Sequence, residues 1–397
     1  MAKSKFNEFV SALLLLVFST LISLVFGEIV TRMIVDPGDY LEPYLVDDDI
    51  LVYKLTPNSS GHDSWGFRNK RVPPSAKIVT IGDSQTYGVS ASAGNSWPAK
   101  LQKLMKADVY NLSLGGYGPV QYYYLLKNRA FILRPRIIIV GFYFGNDLFD
   151  AYTIAYTNDH WKHLRDNRFA AGKDLTEADL SNHQRVKLMG GLRSWLAHHS
   201  VLYRMSTLSF GNVFRFLEIK YGHFQTTKDI SILDHRERKL HTGFTPFGRL
   251  GALNLRDPKV REGLRITLES IRQMNDLCSN SSIQLMIALI PTKESVFADY
   301  IENNSRINNS DTIDELIANE RQVNALMKKY FQQYNISYVD VLPDLQNAVG
   351  VKTIYPENED GHPNAAGYEV IANAIHKSLT QRNTMEHSNM NRLWPID

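Results

Sequence analysis

The sequence predicts an α/β protein in which a parallel β-sheet carries helices on both faces and a membrane-spanning helix precedes the sheet. Short apolar runs alternate with segments whose apolar residues recur at helical spacing, which is the pattern of βαβ units. Residues 136–144 form a run rich in isoleucine that is typical of a strand buried on both faces. Residues 9–26 are a long apolar segment that does not fit into such a sheet.

The N-terminal segment has the composition of a membrane anchor. Residues 9–26 are apolar except for serine and threonine, and a helix of that length spans about 27 Å, close to the hydrocarbon thickness of a bilayer. Lys3 and Lys5 precede the run and few basic residues follow it directly. This charge asymmetry predicts that residues 1–8 are cytoplasmic and that the chain after the anchor lies outside the cytoplasm, which is the periplasm in a Gram-negative host.

Cleavage as a signal peptide, with secretion of the remainder, is the alternative to a retained anchor. Residues 25–27 resemble a small-residue cleavage site. The apolar run is long for a signal peptide, however, and Glu28 and Arg32 are spaced to pair on a helix that continues past it. We therefore favour a single-pass transmembrane anchor over residues 9–34.

The rest of the chain divides into a lead-in, a domain and a tail. Residues 36–75 are rich in Pro, Asp, Asn and Gly and predict an extended lead-in with short strands. Residues 76–380 carry the alternating pattern, with a long insertion at about residues 150–257. The polar residues 381–397 predict a disordered tail.

The alternating pattern assigns a type to each segment of the domain. The predicted strands are residues 77–81, 109–114, 136–144, 283–290 and 337–341. The predicted helices are residues 95–106, 120–131, 260–278, 314–334 and 364–379, with weaker helical stretches in the insertion at 175–188 and 192–216.

Composition excludes several classes of function. The net charge is +3 without a long basic block, so the chain lacks the charge pattern of a nucleic-acid-binding protein. Cys278 is the single cysteine, which excludes an intrachain disulfide and a cysteine-based metal cluster. His160, His198 and His199 lack further ligands at metal-binding spacing, so we expect no metal there. We also expect no organic cofactor.

Ser84 directly follows a predicted buried strand, in the turn Gly82-Asp83-Ser84. The glycine permits a tight turn, and the start of the following helix offers N–H donors and positive potential to an oxyanion. A serine at this position meets the needs of a nucleophile. The triplet is also a common turn in which Ser84 would only cap a helix, so the catalytic interpretation depends on other residues.

Two further polar blocks follow the next two predicted strands. Gly115 and Gly116 come after the second strand, where they permit a positive-φ turn or bring a backbone N–H to a substrate carbonyl. Asn146 comes after the third strand and can cap a helix or donate its side-chain amide to an oxyanion. Because all three blocks follow strands of one parallel sheet, we expect them to meet in the crevice at its carboxyl edge.

A histidine and two carboxylates precede the last predicted helix, in the segment Glu359-Asp360-Gly361-His362. A serine hydroxyl is a poor nucleophile until a neighbouring base takes its proton, and a carboxylate can orient that base. His362 is the base in this interpretation. Alternatively, the segment is a polar turn that caps the final helix.

The four blocks together resemble those of the SGNH hydrolase family, also called the GDSL esterase/lipase superfamily, and they occur in the family's order. The nucleophile block matches at Gly82-Asp83-Ser84, with Gln85 where many members carry leucine. In the glycine block, Ser113 replaces the first glycine and Gly116 keeps the second.

The third and fourth blocks match in part. Phe144 occupies the glycine position of the third block, while Asn146 and Asp147 match it. In the last block the carboxylate of Asp360 lies two residues before His362, a spacing found in the branch that resembles alginate acetyltransferases. Glu359, three residues before the histidine, has the commoner spacing.

The resemblance implies a doubly wound, flavodoxin-like sheet and a catalytic triad. Ser84 would be the nucleophile, His362 the general base and acid, and Asp360 the residue that orients the histidine, with Glu359 as the alternative. The N–H groups of Ser84 and Gly116, with the side-chain amide of Asn146, would form the oxyanion hole.

Two further residues are candidates for substrate binding. Asp147 belongs to the third block, and Lys293 lies in residues 290–296, which look like a segment of membrane-anchored members linked to polysaccharide O-acetylation. Lys293 would hold an anionic substrate. The alternative is a solvated lysine at the start of a helix.

Three functions are compatible with these residues. The first is a serine esterase that hydrolyses O-acyl groups, above all acetyl groups, of a carbohydrate or cell-envelope substrate. The second is a polysaccharide O-acetyltransferase that uses the same triad, and the third is an inactive, anchored polysaccharide-binding or assembly protein. The expected partners are the lipid bilayer, the carbohydrate or acyl-ester substrate and envelope polysaccharide machinery.

Overall fold

The strands are short, and most of them belong to one sheet. The structure, a computed structural model, describes residues 2–166, 191–208, 229–235, 240–302 and 307–393. Its strands are β1 Leu45–Asp48, β2 Val52–Leu55, β3 Ile78–Gly82, β4 Val109–Ser113, β5 Ile137–Tyr143, β6 Ser231–His235, β7 Leu240–Phe244, β8 Gln284–Ile290 and β9 Tyr338–Asp340.

Helices connect the strands and cover them. They are α1 Ala2–Ile34, α2 Ser84–Tyr87, α3 Trp97–Met105, α4 Pro119–Asn128, α5 Asp147–Thr157, α6 Leu192–His199, α7 Pro246–Leu253, α8 Pro258–Asn280, α9 Lys293–Val296, α10 Ala298–Glu302, α11 Ser310–Gln333, α12 Leu342–Ala348 and α13 Ala365–Leu393. Residues 201–208 are also helical. Short 3-10 helices occupy Pro37–Asp39, Ala93–Asn95, Ala130–Leu133 and Asp159–Leu164.

The central sheet is parallel and has the order β4-β3-β5-β8-β9. This corresponds to the strand order 2-1-3-4-5 of a doubly wound, flavodoxin-like sheet. Every residue of β3 and β5 is buried. This agrees with their apolar sequences, which predict strands that are covered on both faces. Helices α3 and α13 pack together, and α4 and α5 pack with α8, so two helix layers enclose the sheet.

The predicted strands of the domain are all present, each within one residue of its predicted bounds. The largest difference concerns the C-terminal tail. We expected disorder after residue 380, whereas α13 continues to Leu393. The reason is that residues 381–393 contain neither glycine nor proline, and the first helix breaker is Pro395.

The insertion begins and ends with structure that the sequence predicted only in part. The expected helical stretch at 192–216 is present as α6 and residues 201–208, while its remainder and the stretch at 175–188 lie outside the described residues. The antiparallel hairpin of β6 and β7 was not predicted. Polar residues interrupt the apolar pattern of both strands, and Gly243 weakens the strand pattern of the second one further.

The N-terminal helix has the expected length and composition. Within α1, Phe9–Ile34 is long and apolar enough to cross a membrane, and a signal sequence would have the same properties. Arg32 Nε lies 2.6 Å from Glu28 Oε1, so these residues pair on one helix, as their spacing predicted.

Candidate active site

Ser84 is the first residue of α2, which starts immediately after β3. A Cβ atom on Gly82 or on Gly141 would lie 2.2 Å from Thr86 Oγ1, so only glycines allow α2 to pack directly on these two central strands. The capping residue of α2 is Asp83, whose carboxylate accepts the Gln85 N–H at 2.9 Å. Ser84 therefore does not cap the helix, and its hydroxyl is available at the carboxyl edge of the sheet.

Ser84, His362 and Asp360 form a continuous hydrogen-bonded triad. The Ser84 Oγ atom lies 2.8 Å from His362 Nε2, and His362 Nδ1 lies 2.6 Å from Asp360 Oδ1. Asp360 Oδ1 also accepts the backbone N–H of His362 at 3.0 Å. The structure thus brings Ser84 to a histidine and an aspartate that lie more than 270 residues later in the chain. It gives the imidazole the contacts of a base between a hydroxyl and a carboxylate.

Asp360, rather than Glu359, accepts the Nδ1 hydrogen bond of the histidine. Burial acts to raise the pKa of Asp360, but hydrogen bonds from His362 and Ser90, together with the charge of the histidine, outweigh it and hold this pKa well below its usual range. The carboxylate is therefore ionised at neutral pH, which is the state that fixes the histidine tautomer and stabilises an imidazolium.

Asp83 is a second carboxylate beside the nucleophile. It is fully buried, and Ser84 Oγ lies 3.3 Å from its Oδ2 atom. Burial raises the pKa of Asp83 to about 6, although hydrogen bonds and the charge of His362 oppose the rise. Because the Ser84 hydroxyl lies closer to His362 than to Asp83, the histidine is the better acceptor for its proton.

Gly115 is the residue of the glycine block that lies next to Ser84. A Cβ atom on Gly115 would lie 3.4 Å from Ser84 Cβ, so the backbone after β4 passes directly beside the nucleophile. Gly116 has a φ of +80°, and a Cβ atom there would lie 2.3 Å from the Tyr53 hydroxyl oxygen. That hydroxyl donates to the Gly115 carbonyl at 2.7 Å, so the lead-in supports the turn. The oxyanion role of the Gly116 N–H stays a prediction.

Asn146 precedes α5 without capping it by its side chain. Its amide nitrogen donates to Asp150 Oδ2 at 2.8 Å, which leaves the second N–H of the amide for another acceptor. A contact of this kind fixes the direction of the amide. The oxyanion role of Asn146 therefore stays a prediction, with Asp150 as the residue that orients it.

Asp147 does not have the exposure of a substrate-binding residue. Its side chain is fully buried, and its carboxylate oxygens accept the Tyr122 hydroxyl and the Tyr143 N–H, both at 3.0 Å. Burial and the nearby Asp83 raise the pKa of Asp147 well above its usual range. The expectation of substrate contact is wrong because this carboxylate ties α5 to the end of β5 inside the protein.

Lys293 is buried, so neither a substrate contact nor a solvated lysine describes it. Its ammonium donates to three backbone carbonyl oxygens, those of Pro356 at 3.3 Å, Asn358 at 2.7 Å and Asp360 at 3.0 Å. These carbonyls belong to residues 356–361, the triad loop, which carries Asp360 and leads into His362. Desolvation lowers the pKa of Lys293 to about 7, and the charge of Arg249 adds to this effect.

The insertion also supports the triad loop. Thr242 in β7 donates its hydroxyl to the Pro356 carbonyl at 3.1 Å, and the Gly243 N–H donates to the Asn358 carbonyl at 3.1 Å. Lys293 and β7 therefore bind the same backbone from two elements. Both Lys293 and β7 are more than 50 residues away from the triad loop in the chain, so no local sequence pattern indicates these contacts.

Lys293→Met is expected to lower kcat for ester hydrolysis by about 10–100-fold with little change in KM, because a triad loop without its three hydrogen bonds misplaces Asp360 and His362 by a fraction of an ångström or more. Steady-state kinetics on a small acetate ester measure both constants. Lys352→Met is the control, since that lysine is exposed in the neighbouring loop. An unchanged kcat in a folded Lys293→Met protein would contradict this positioning role.

Ser90 is a polar contact of the triad that the sequence motifs did not indicate. Its hydroxyl donates a short hydrogen bond to Asp360 Oδ2, opposite the oxygen that His362 uses. Ser90 has a φ of +66°, a left-handed conformation that disfavours residues other than glycine. Arg68 holds the segment by donating to the carbonyls of Gly88 at 3.0 Å and Ala91 at 3.1 Å.

Replacement of Ser90 separates its hydrogen bond from its backbone strain. Ser90→Ala and Ser90→Gly are both expected to lower kcat roughly tenfold at unchanged KM, since a hydrogen bond to a charged group contributes about 1.5–3 kcal/mol. The Ser90→Gly protein is expected to be more stable than the Ser90→Ala protein, with a free energy of unfolding about 1 kcal/mol higher. The reason is that glycine adopts the left-handed conformation freely. Equal kcat values for Ser90→Gly and the unaltered protein would show that the hydroxyl does not position Asp360.

Arg249, a residue of the insertion, places its guanidinium next to the triad loop. A Cβ atom on Gly361 would lie 2.1 Å from Arg249 Nη2, so the glycine leaves the space that the guanidinium occupies. Arg249 Nη1 lies 2.5 Å from Glu294 Oε1, and the Glu294 side chain is fully buried. Gln85, the residue after Ser84, also binds the triad loop, because its side-chain amide donates to the Gly361 carbonyl at 3.2 Å.

No family model matches the chain, and no curated protein matches it. Among solved structures it is similar to a lipolytic protein of the G-D-S-L family from Desulfitobacterium hafniense, with 13% identity, coverage of 76% of this chain and 98% of that one, and a TM-score of 0.37. It is also similar to an acylhydrolase from Bacteroides fragilis (14% identity, 78% and 91% coverage, TM-score 0.35). A third structure is a mutant of Axe2, an acetylxylan esterase from Geobacillus stearothermophilus (10% identity, 77% and 95% coverage, TM-score 0.38).

At 10–14% identity, these likenesses concern the overall fold and do not define the class of protein. The class of protein is instead defined by the chain's own sheet and site. A parallel sheet of order 2-1-3-4-5 has at its carboxyl edge a serine, a histidine and an aspartate in hydrogen-bond contact. That combination is the arrangement of an α/β serine hydrolase.

Proposed function

We propose that this chain is a membrane-anchored serine esterase of the SGNH hydrolase family that removes acyl groups, above all acetyl groups, from a carbohydrate or another cell-envelope ester. The observation that carries the proposal is the hydrogen-bonded path from Ser84 through His362 to Asp360, with contacts of 2.8 Å and 2.6 Å. An inactive polysaccharide-binding protein would not require such a path, so catalysis is the favoured function.

The acylation step uses the triad in the order of its contacts. As Ser84 Oγ bonds to the ester carbonyl carbon, His362 Nε2 takes the hydroxyl proton across 2.8 Å. The ionised Asp360 stabilises the imidazolium without taking its proton, because its pKa is held low. The ester C–O bond then breaks, and His362 returns the proton to the leaving alcohol.

The negative charge that develops on the carbonyl oxygen requires preorganised donors. Ser84 is the first residue of a helix, so its N–H has no acceptor within that helix. We assign the other donors to the Gly116 N–H and to the second N–H of the Asn146 amide, whose first N–H is occupied by Asp150. Each such donor contributes about 10²–10³-fold to the rate of acyl transfer in comparable sites.

The second half of the reaction decides between hydrolysis and transfer. In hydrolysis, His362 takes a proton from water while the water oxygen bonds to the acyl carbon of acyl-Ser84. In transfer, a sugar hydroxyl takes the place of water, and the chain would be a polysaccharide O-acetyltransferase. The chemistry on Ser84 and His362 is the same in both cases.

The location of the reaction follows from the N-terminal helix. We assign residues 1–8 to the cytoplasm, residues 9–34 to a retained transmembrane anchor and residues 76–380 to the catalytic domain outside the cytoplasm, which would be periplasmic in a Gram-negative cell. The length and composition of Phe9–Ile34 support this assignment. Envelope polysaccharide machinery would then be the neighbouring partner, and a cleaved signal sequence with a secreted enzyme is the alternative.

The test uses the full chain in detergent micelles with p-nitrophenyl esters of increasing acyl length. We expect turnover that is fastest for acetate, and an acetyl group on the peptide that contains Ser84 after rapid acid quenching, detected by mass spectrometry. An added oligosaccharide acceptor separates the two reactions, because only transfer yields acetylated sugar. No turnover and no acylated Ser84 with any ester would overturn the proposal.

A further inference from the structure

Exposed apolar side chains concentrate on two segments beside the N-terminal helix. Outside α1, the described part of the chain has twelve exposed large hydrophobic residues, and six of them lie on residues 44–46 and 192–208. Isolated exposed apolar residues are ordinary, but a cluster of them marks a surface with a partner. The six residues, called the apolar patch below, are Tyr44, Leu45, Val46, Leu192, Trp195 and Leu208.

The two segments of the apolar patch pack on each other. The Tyr44 ring stacks on His198 with 3.8 Å between ring centroids, and the His198 ring nitrogen Nδ1 donates to the Glu42 carbonyl at 2.7 Å. Arg204 pairs with the Glu42 carboxylate at 2.9 Å. The two segments are therefore in direct contact, although more than a hundred residues separate them in the chain.

The same surface is fixed to the C-terminal end of α1. The Glu28 carboxylate accepts the Ser200 hydroxyl at 2.8 Å and the N–H groups of Val201 and Leu202 at 3.0 Å each. Glu28, a residue of α1, thus caps the N-terminus of the helix of residues 201–208. Arg32 donates to the His199 carbonyl at 2.6 Å. These bonds hold α6 at the level of residues 28–32 of α1.

If α1 spans a bilayer with residues 9–26 in the hydrocarbon core, that level of the helix is the polar interface. The apolar run of α1 ends at Phe26, and residues 28–32 lie about 3–9 Å beyond it at 1.5 Å per helical residue. Interfacial helices bury their apolar face about 5–10 Å into the boundary of headgroups and acyl chains, and Trp and Tyr are the residues enriched there.

The helix α6 has the composition of an interfacial helix. Leu192 and Trp195 are exposed at i and i+3, and the His199 ring stacks on Trp195 with 4.8 Å between centroids. Ala197, on another side of the helix, is buried. The helix contains Arg193 and no acidic residue, which matches the phosphates of lipid headgroups.

We propose that the apolar patch lies in the outer interface of the same bilayer that α1 spans, so that α6 and residues 44–46 hold the hydrolase domain against the membrane in a fixed orientation. This inference rests on the proposed retained anchor. The occupant of the patch is the phospholipid surface itself, because the hydrogen bonds of Glu28 and Arg32 place the patch where the apolar surface of α1 ends.

Site-directed spin labelling of the full chain in phospholipid vesicles tests the proposal. Cys278 is buried and is the single cysteine, so Cys278→Ala gives a background without reactive thiols. Labels are placed by Leu192→Cys and Trp195→Cys in the patch, by Val17→Cys in α1 and by Ile132→Cys as the control. Ile132 is 54% exposed, against 56% for Trp195, but it lies outside the patch. Retained ester hydrolysis verifies that each labelled protein is folded.

The readout is the accessibility of each label to oxygen, which concentrates in lipid, and to a water-soluble nickel chelate. We expect the labels at 17, 192 and 195 to favour oxygen and the label at 132 to favour the nickel chelate. If position 17 favours oxygen while 192 and 195 behave like 132, the anchor stands and the membrane-facing patch is overturned. If position 17 also behaves like 132, the anchor and the patch are both overturned.

Discussion

Ser84→Ala is expected to lower kcat for hydrolysis of an acetate ester by about 10⁴-fold or more while the protein stays folded. The Oγ atom is the only nucleophile that the triad can activate, because His362 Nε2 hydrogen-bonds to it at 2.8 Å. A methyl group at this position keeps the packing of α2 on the central strands but cannot form the acyl intermediate. Ester hydrolysis by the purified variant measures the effect.

The matched control is Ser75→Ala. Ser75 is exposed just before β3, whereas Ser84 follows the same strand at its opposite end. We expect Ser75→Ala to keep full activity and both variants to keep the thermal unfolding temperature of the unaltered protein within a few degrees. Activity that persists in Ser84→Ala would remove the assignment of this serine as the nucleophile.

Asp360→Asn is expected to lower kcat by about 10⁴-fold, because an amide in place of the carboxylate favours the wrong tautomer of the histidine. The effect requires the contact of 2.6 Å between Asp360 Oδ1 and His362 Nδ1. The partial burial of Asp360 makes kcat more dependent on its charge, since a neutral side chain there leaves the imidazolium without an anionic partner. The kcat and KM of the variant are measured with the ester used for Ser84.

Glu359→Gln is the control for this experiment, since it makes the same carboxylate-to-amide change one residue earlier. We expect it to lower kcat by less than about tenfold, because Asp360 and not Glu359 accepts the Nδ1 hydrogen bond of His362. A large loss in Glu359→Gln together with a small loss in Asp360→Asn would reverse the assignment of the orienting carboxylate.

The orienting network around Asp360 explains why the two variants should differ so much. His362 donates to one oxygen of Asp360 and Ser90 donates to the other, and Lys293 binds its backbone carbonyl. The carboxylate therefore has one fixed orientation and a low pKa. Because three residues bind Asp360, its carboxylate can keep His362 in position during both acylation and deacylation.

The apolar segments of the domain made its sheet predictable. The run that became β5 contains only buried residues, and such runs form strands wherever two helix layers cover them. The hairpin of β6 and β7 was not predictable in this way, because polar residues such as Asp234, His235 and His241 interrupt the apolar pattern of its strands. Helix α13 continues to Leu393 through a polar segment, because no glycine or proline precedes Pro395 there.

Local motifs indicated Ser84, His362 and the two candidate carboxylates, because each of these residues lies in a short block of residues that are close in the chain. Asp147 and Lys293 were assigned wrongly for the opposite reason. Burial of a charged side chain depends on what packs around it, and both side chains are fully buried. The contact of Ser90 with Asp360 was not predicted, because Ser90 belongs to none of the four sequence blocks.

Hydrophobic periodicity was sufficient to predict the succession of strands and helices along the domain and the apolar N-terminal helix. Short motifs were sufficient to indicate Ser84 and His362 as site residues. Only the tertiary structure decided that Asp360 rather than Glu359 orients His362 and that Lys293 holds the triad loop. It also decided that α6 is joined to the end of α1. The physical reason is that hydrogen bonding and burial between distant segments depend on how the chain packs, and a local pattern does not specify that packing.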